Sequence, residues 1–103
     1  AFITSVSCGL AHTLCIDDNS SVWGFGNNCD GQLGFGHKRD GGEPRKIDLL
    51  HDFSVVQISC GYNHSCLLHD DGTVSTCGNN RSGQLGLGDH LEQHLIFKKS
   101  FFA

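Results

Sequence analysis

One stretch constrains this chain more than any other: Gly26-Asn27-Asn28-Cys29-Asp30-Gly31-Gln32-Leu33-Gly34-Phe35-Gly36 returns 52 residues later as Gly78-Asn79-Asn80-Arg81-Ser82-Gly83-Gln84-Leu85-Gly86-Leu87-Gly88. A segment this rich in Gly, Asn and Gln does not form a helix, and a recurrence with identical internal spacing marks a repeated structural unit. Laying 7–36 on 59–88 without a gap gives identity at 14 of 30 positions, and every glycine of the signature is among them. What repeats is therefore a backbone path, and the signature is its tight turn.

The flanking residues read as strands. In the first unit these are Phe2 to Cys8, His12 to Ile16 and Ser21 to Phe25, and in the second Val55 to Gly61, His64 to Leu68 and Thr73 to Cys77. A fourth strand follows each signature, Pro44 to Ile47 as an edge strand that tolerates proline, and Leu95 to Phe97. The tail from Lys98 to Ala103 is ambiguous. Asp71-Gly72 predicts a two-residue hairpin with both central residues at positive φ, whereas Ser20-Ser21 predicts a less sharp turn. His37 to Glu43 is polar and Gly-rich, an exposed loop ending at Pro44. The chain divides into units 1–48 and 49–103, each of about four strands.

Composition narrows the function. The net charge is −4 over 103 residues, which argues against direct nucleic-acid binding because a grip on phosphates needs a surplus of cations. No apolar run approaches the roughly 20 residues that span a bilayer, and no charged start with an apolar core suggests a leader. The start at Ala1, already inside a strand, suggests a fragment or processed piece. Of the six cysteines only Cys8 and Cys60 are repeat-equivalent, so reduced, mostly buried thiols are expected rather than a disulfide framework. An intracellular setting, cytoplasmic or nuclear, follows, with no membrane association.

Side chains that could carry chemistry have simpler readings. His12 and His64 share a repeat position and are expected to make the same structural hydrogen bond in each unit. With no paired C-x-x-C spacing there is no zinc signature, and Asp17, Asp18, Asp70 and Asp71 sit at turns without the spacing of a calcium loop. The Gly-rich tripeptides lack the Lys-Ser or Lys-Thr of a phosphate cradle. No catalytic residue, metal ligand or cofactor site is assigned. Gln32 and Gln84 are expected to bond to their own loops, with Leu33 and Leu85 filling apolar space beneath. Partner contact is assigned instead to the long charged loop, through His37, Lys38, Arg39, Asp40, Glu43 and Arg45.

The series Gly61-Tyr62-Asn63-His64-Ser65, Asp71-Gly72-Thr73-Val74 and Gly78-Asn79-Asn80-Arg81-Ser82-Gly83-Gln84-Leu85-Gly86 resembles the regulator of chromosome condensation repeat, and the first unit is similar. The resemblance covers nearly the whole chain. It implies an all-β fold of two four-stranded antiparallel blades of a β-propeller, part of a larger or assembled ring. The units depart from the pattern where Cys77 replaces the aromatic at Phe25, implying looser packing between blades, and where Ile96 stands as the counterpart of Pro44. The function implied is a non-enzymatic module for protein–protein interaction. The alternatives are guanine nucleotide exchange on a small GTPase, or an accessory propeller of a larger enzyme such as a ubiquitin ligase. Partners would be a protein, the remaining blades, or further copies of the chain.

Overall fold

The structure is a computed structural model that describes residues 2–47, 49, 54–81 and 93–100. Among these there is no helix, and the strands are β1 (Ile3–Cys8), β2 (His12–Asp17), β3 (Val22–Gly26), β4 (Gly41–Lys46), β5 (Val55–Cys60), β6 (His64–His69), β7 (Val74–Asn79) and β8 (Gln93–Ser100). They form two four-stranded antiparallel sheets, β1-β2-β3-β4 and β5-β6-β7-β8. The fold expected from the repeat is present, down to its irregularities. The register shift between Ile3 and Ser5 recurs between Val55 and Gln57, and that between Gly24 and Gly26 recurs between Thr76 and Gly78.

Four local expectations need correction. First, β4 begins at Gly41 instead of Pro44, because Gly41 pairs with Gly26 and draws Gly41 to Glu43 out of the loop. Second, β8 is longer than Leu95 to Phe97, since β7 offers partners as far as Asn79 and Lys98 to Ser100 join the ladder. Third, Gly24 pairs with Arg45 while Thr76 pairs with Lys98, so the last strands are offset by one from the 52-residue period. Pro44 therefore corresponds to Phe97, not to Ile96. Fourth, the two hairpins share one geometry. Gly72 alone has positive φ (85°), with its N–H on the His69 carbonyl and the His69 N–H on Thr73. Ser20 takes the same place at φ 62°, its N–H on the Asp17 carbonyl. Serine holds this left-handed conformation because Asp17 Oδ1 accepts from the N–H groups of Asn19 and Ser21, while its Oδ2 accepts from Trp23 Nε1. Those three donors hold the Asp17 carboxyl below the usual range.

The core lies between the two sheets. Leu14, Ile16, Val22, Leu33 and Ile47 from the first unit pack on Val55, Ile58, Leu67, Cys77 and Phe97 from the second. Leu14, Leu33 and Leu67 are fully buried, each contributing roughly 1.5–3 kcal/mol of apolar transfer. Cys77 belongs to this core, so the exchange of an aromatic for cysteine does not leave a loose seam there: Phe97 fills the space and the Cys77 thiol donates to the Gln32 carbonyl at 3.3 Å. The six cysteines are free, as expected, but only Cys15 and Cys77 are buried, while Cys8 and Cys29 are exposed.

The signature loop of the first unit is the wedge in this seam. Its Gln32 side chain does bond within its own loop, accepting from Asp30 N and donating to Asn27. The Gln32 carbonyl, however, faces the second sheet, where Ser65 Oγ donates to it at 2.6 Å. Since that hydroxyl spends its proton on Gln32, the 2.9 Å contact between Ser65 Oγ and His12 Nε2 makes the histidine the donor, protonated on Nε2. The Gly36 N–H reaches the Leu95 carbonyl, and Arg81 Nη1 pairs with Asp30 at 3.0 Å. His12 thus makes a bond between units, rather than one within its own. Gly9 is required beside it, because a Cβ there would lie 2.1 Å from the His12 ring, and Gly61 stands in the same relation to His64. The second copy of the signature from Ser82 to Gly88, including Gln84 and Leu85, lies outside the described residues.

Two outcomes follow. At Gly31, φ is 76° and a Cβ would lie 2.6 Å from the Leu95 side chain and 2.9 Å from its Cα, whereas Gly42 has nothing within 4 Å. In denaturant unfolding, Gly31→Val should cost about 2 kcal/mol or more, and Gly42→Ala should stay within about 0.5 kcal/mol of the parent; equal effects would contradict the wedge. Burial also lowers the affinity of His12 and His64 for protons. The unfolded chain then binds protons that the folded chain refuses, so stability should fall as pH drops through 6.5 and level off below the lowered folded values. Asp17 adds a further loss below its ordinary 3.8. Melts between pH 8 and 5 should show the first decline, flattened in His12→Gln; a slope unchanged by that substitution would contradict the role of His12.

Candidate functional site

The residues assigned to partner contact follow the wedge directly. Asn28, which is fully buried, sets their path: its Nδ2 donates to the carbonyls of His37 and Arg39 at 2.7 and 2.9 Å, and its Oδ1 accepts from Leu33 N at 3.0 Å. Its own N–H binds Asp40 Oδ1 at 2.9 Å. One buried amide therefore ties the signature turn to the loop beyond it, and a short bond from Arg39 N to His37 Nδ1 tightens the tip. The loop is a shaped projection from the seam.

Of the assigned residues, Lys38, Arg39, Asp40, Glu43 and Arg45 are exposed and His37 is half-buried. All but Lys38 line one groove of about 630 Å³ running along β4. Asp40 has a structural duty as well, since one of its oxygens is engaged by Asn28. Three lining residues lie outside the His37 to Arg45 segment: Trp23, Phe35 and Lys46. Phe35 stands at the centre, its ring 5.7 Å from that of His37 and 5.9 Å from the Arg45 guanidinium carbon. A second hollow of about 360 Å³ shares Phe35, His37, Arg39, Arg45 and Lys46, and extends to Ile96 of the second sheet. The one available signal was Phe35 itself, an aromatic where the second unit has Leu87.

The groove offers charge and aromatic surface, and no reacting pair. Among the described residues no three His, Cys, Asp or Glu side chains converge as a metal site would require. The buried Ser65 and Ser75 hydroxyls bond to histidines inside the seam and the sheet, away from any opening. Among the described residues no helix is long and apolar enough to cross a membrane.

Comparison with known proteins agrees with this architecture. Models of the "Regulator of chromosome condensation (RCC1) repeat" match residues 19–68 in one form and residues 3–32 and 55–84 in another. The chain is 43% identical over 84 residues to a human protein named probable E3 ubiquitin-protein ligase HERC6, covering 81% of the chain and 8% of that protein. It is 38% identical to the dog X-linked retinitis pigmentosa GTPase regulator, with coverage of 97% and 10%. With the mouse RCC1-like G exchanging factor-like protein the identity is 41%, over 85% of the chain and 20% of the relative. The chain thus spans about a fifth or less of these relatives. Among solved structures, human WBSCR16 superposes with a TM-score of 0.90 at 26% identity, over 98% of this chain and 26% of that one. Yeast RCC1 (Prp20), bound to Kap60, gives a TM-score of 0.83 at 18% identity over 94% and 24%, a likeness of fold alone. The repeated signature, the paired four-stranded sheets and these matches together place the chain in the regulator of chromosome condensation (RCC1) repeat family.

Proposed function

We propose that the chain is a non-enzymatic protein-interaction module, two blades of a propeller with a division near residues 48 and 49. Its partner contact is the His37 to Arg45 segment. The observation that carries this reading is the anchoring of that segment: a fully buried Asn28 holds its backbone, while most of its charged side chains are exposed along a groove. Rigid backbone with exposed, varied side chains is what recognition of another protein uses, because little ordering entropy remains to be lost on binding. No paired nucleophile and base accompanies it.

The same reading assigns a second kind of partner, further blades or further copies. Val6 and Ile58 are repeat-equivalent, yet Val6 is 57% exposed where Ile58 is 7% exposed. Ile58 packs in the core between the sheets, whereas Val6, on the corresponding face of the first sheet, is left exposed. Repeats that bury one another's faces need a neighbour on each side. With its free thiols, the chain fits an intracellular setting, cytoplasmic or nuclear.

Exchange on a small GTPase is the competing reading, supported by the likeness to a relative named as an exchanging factor. An accessory role beside a ligase rests on the likeness to HERC6. Release of labelled guanine nucleotide from small GTPases, measured with this chain in excess, should proceed at the uncatalysed rate. Accelerated release would overturn the non-enzymatic assignment.

A further inference from the structure

We infer that the groove along β4 takes an acidic, extended segment of a partner protein; this rests on the interaction reading above and names the chemistry of its ligand. The first observation is segregation of charge. The chain is net acidic, with 7 Lys and Arg against 11 Asp and Glu, yet Lys38, Arg39, Arg45 and Lys46 fall within one short stretch that holds only Asp40 and Glu43. Three of those cations, Arg39, Arg45 and Lys46, line both hollows. An island of positive potential in a negative molecule selects for an anionic ligand and steers its approach.

The second observation is what lies beneath the charges. Phe35 is half-buried, with the His37 ring 5.7 Å away and the Arg45 guanidinium carbon 5.9 Å from its centroid, and Trp23 lines the same groove. A guanidinium over an aromatic ring at this distance is biased toward the ring face while its N–H groups remain available to a carboxylate. The rings offer apolar surface for the stems of a peptide's side chains. The site therefore matches alternating acidic and apolar residues.

Other occupants fit less well. Pro44 has no N–H, so the row of backbone donors along β4 is interrupted and strand addition could not run its length. Glu43 and Asp40 place two carboxyls among the lining cations, which would repel a continuous line of phosphates. A peptide can meet those carboxyls with its own N–H groups. The charge of the remaining molecule also opposes a nucleic acid.

The test uses the whole chain and three fluorescein-labelled dodecapeptides of matched length, with Asp/Glu, Gln/Ser or Lys alternating with Leu, together with a single-stranded oligonucleotide. Anisotropy should show binding of the acidic peptide that weakens as salt rises, roughly tenfold weaker binding in Arg39→Glu or Arg45→Glu, and only partial recovery in Arg45→Lys, which restores the charge without the planar group over Phe35. Both positions are exposed, and thermal melts of the variants should match the parent. Backbone NMR shifts locate each complex. Stronger binding of the neutral or basic peptide at residues 37–46 would overturn the acidic assignment and leave the interaction reading standing. Peptide binding that shifts only residues outside this stretch, or no binding by any peptide, would overturn both. Tighter binding of the oligonucleotide than of the acidic peptide would overturn the choice of ligand class.

Discussion

The structure depends on one carbonyl. Gln32 O lies where the signature turn of the first unit meets the second sheet, and it accepts from Ser65 Oγ and Cys77 Sγ at once. Ser65 in turn accepts from His12, so a side chain on β2, a turn and two strands of the next sheet share one buried network. A backbone carbonyl left unsatisfied in this position would cost about 1–3 kcal/mol, and the whole network is inside the seam. The glycines around it allow the close approach. Gly31 and Gly34 sit at φ 76° and 73°, against Leu95 and Phe97, and a Cβ on either would enter those side chains.

From this seam the candidate site inherits its rigidity. Asn28, three residues before Gly31, spends both ends of its amide on fixing the turn and the loop that follows, and the groove begins where those bonds end. The arrangement separates duties along the chain. Asn28, which holds the backbone, is buried, and its repeat counterpart Asn80 is buried too, whereas Phe35, Arg39 and Arg45 are half-buried or exposed and do not recur as the same residues. A scaffold of repeats can then vary its projecting side chains without disturbing its blades.

Much of this was legible in the sequence, for a physical reason. Turn geometry at positive φ admits few residues, so Gly26 to Gly36 and its copy announced the repeat, the strand order and the family. Propensity alone does not give the hairpin at Ser20, because it treats the turn by itself, whereas the Asp17 carboxylate, tied to Trp23 across the hairpin, holds the serine in a left-handed conformation. The packing at Cys77 is hidden from the sequence for a related reason: its neighbour Phe97 comes from a strand whose register slips by one, and no linear alignment carries that slip. The charged residues of the groove, Lys46 included, lie in one stretch of sequence, but Trp23 and Phe35 join them only through packing across β3, β4 and the loop.

The central claim is that the signature turn is the clamp between sheets, and not a surface loop that happens to be ordered. Native-state hydrogen exchange at the Gly36 amide, which donates to the Leu95 carbonyl across the seam, tests it most directly. The account predicts that this amide exchanges only through the same opening that exposes the amides paired between β2 and β3, with matching free energy and denaturant dependence. Exchange of Gly36 at the rate of an open loop, while the β2 and β3 amides stay protected, would contradict it.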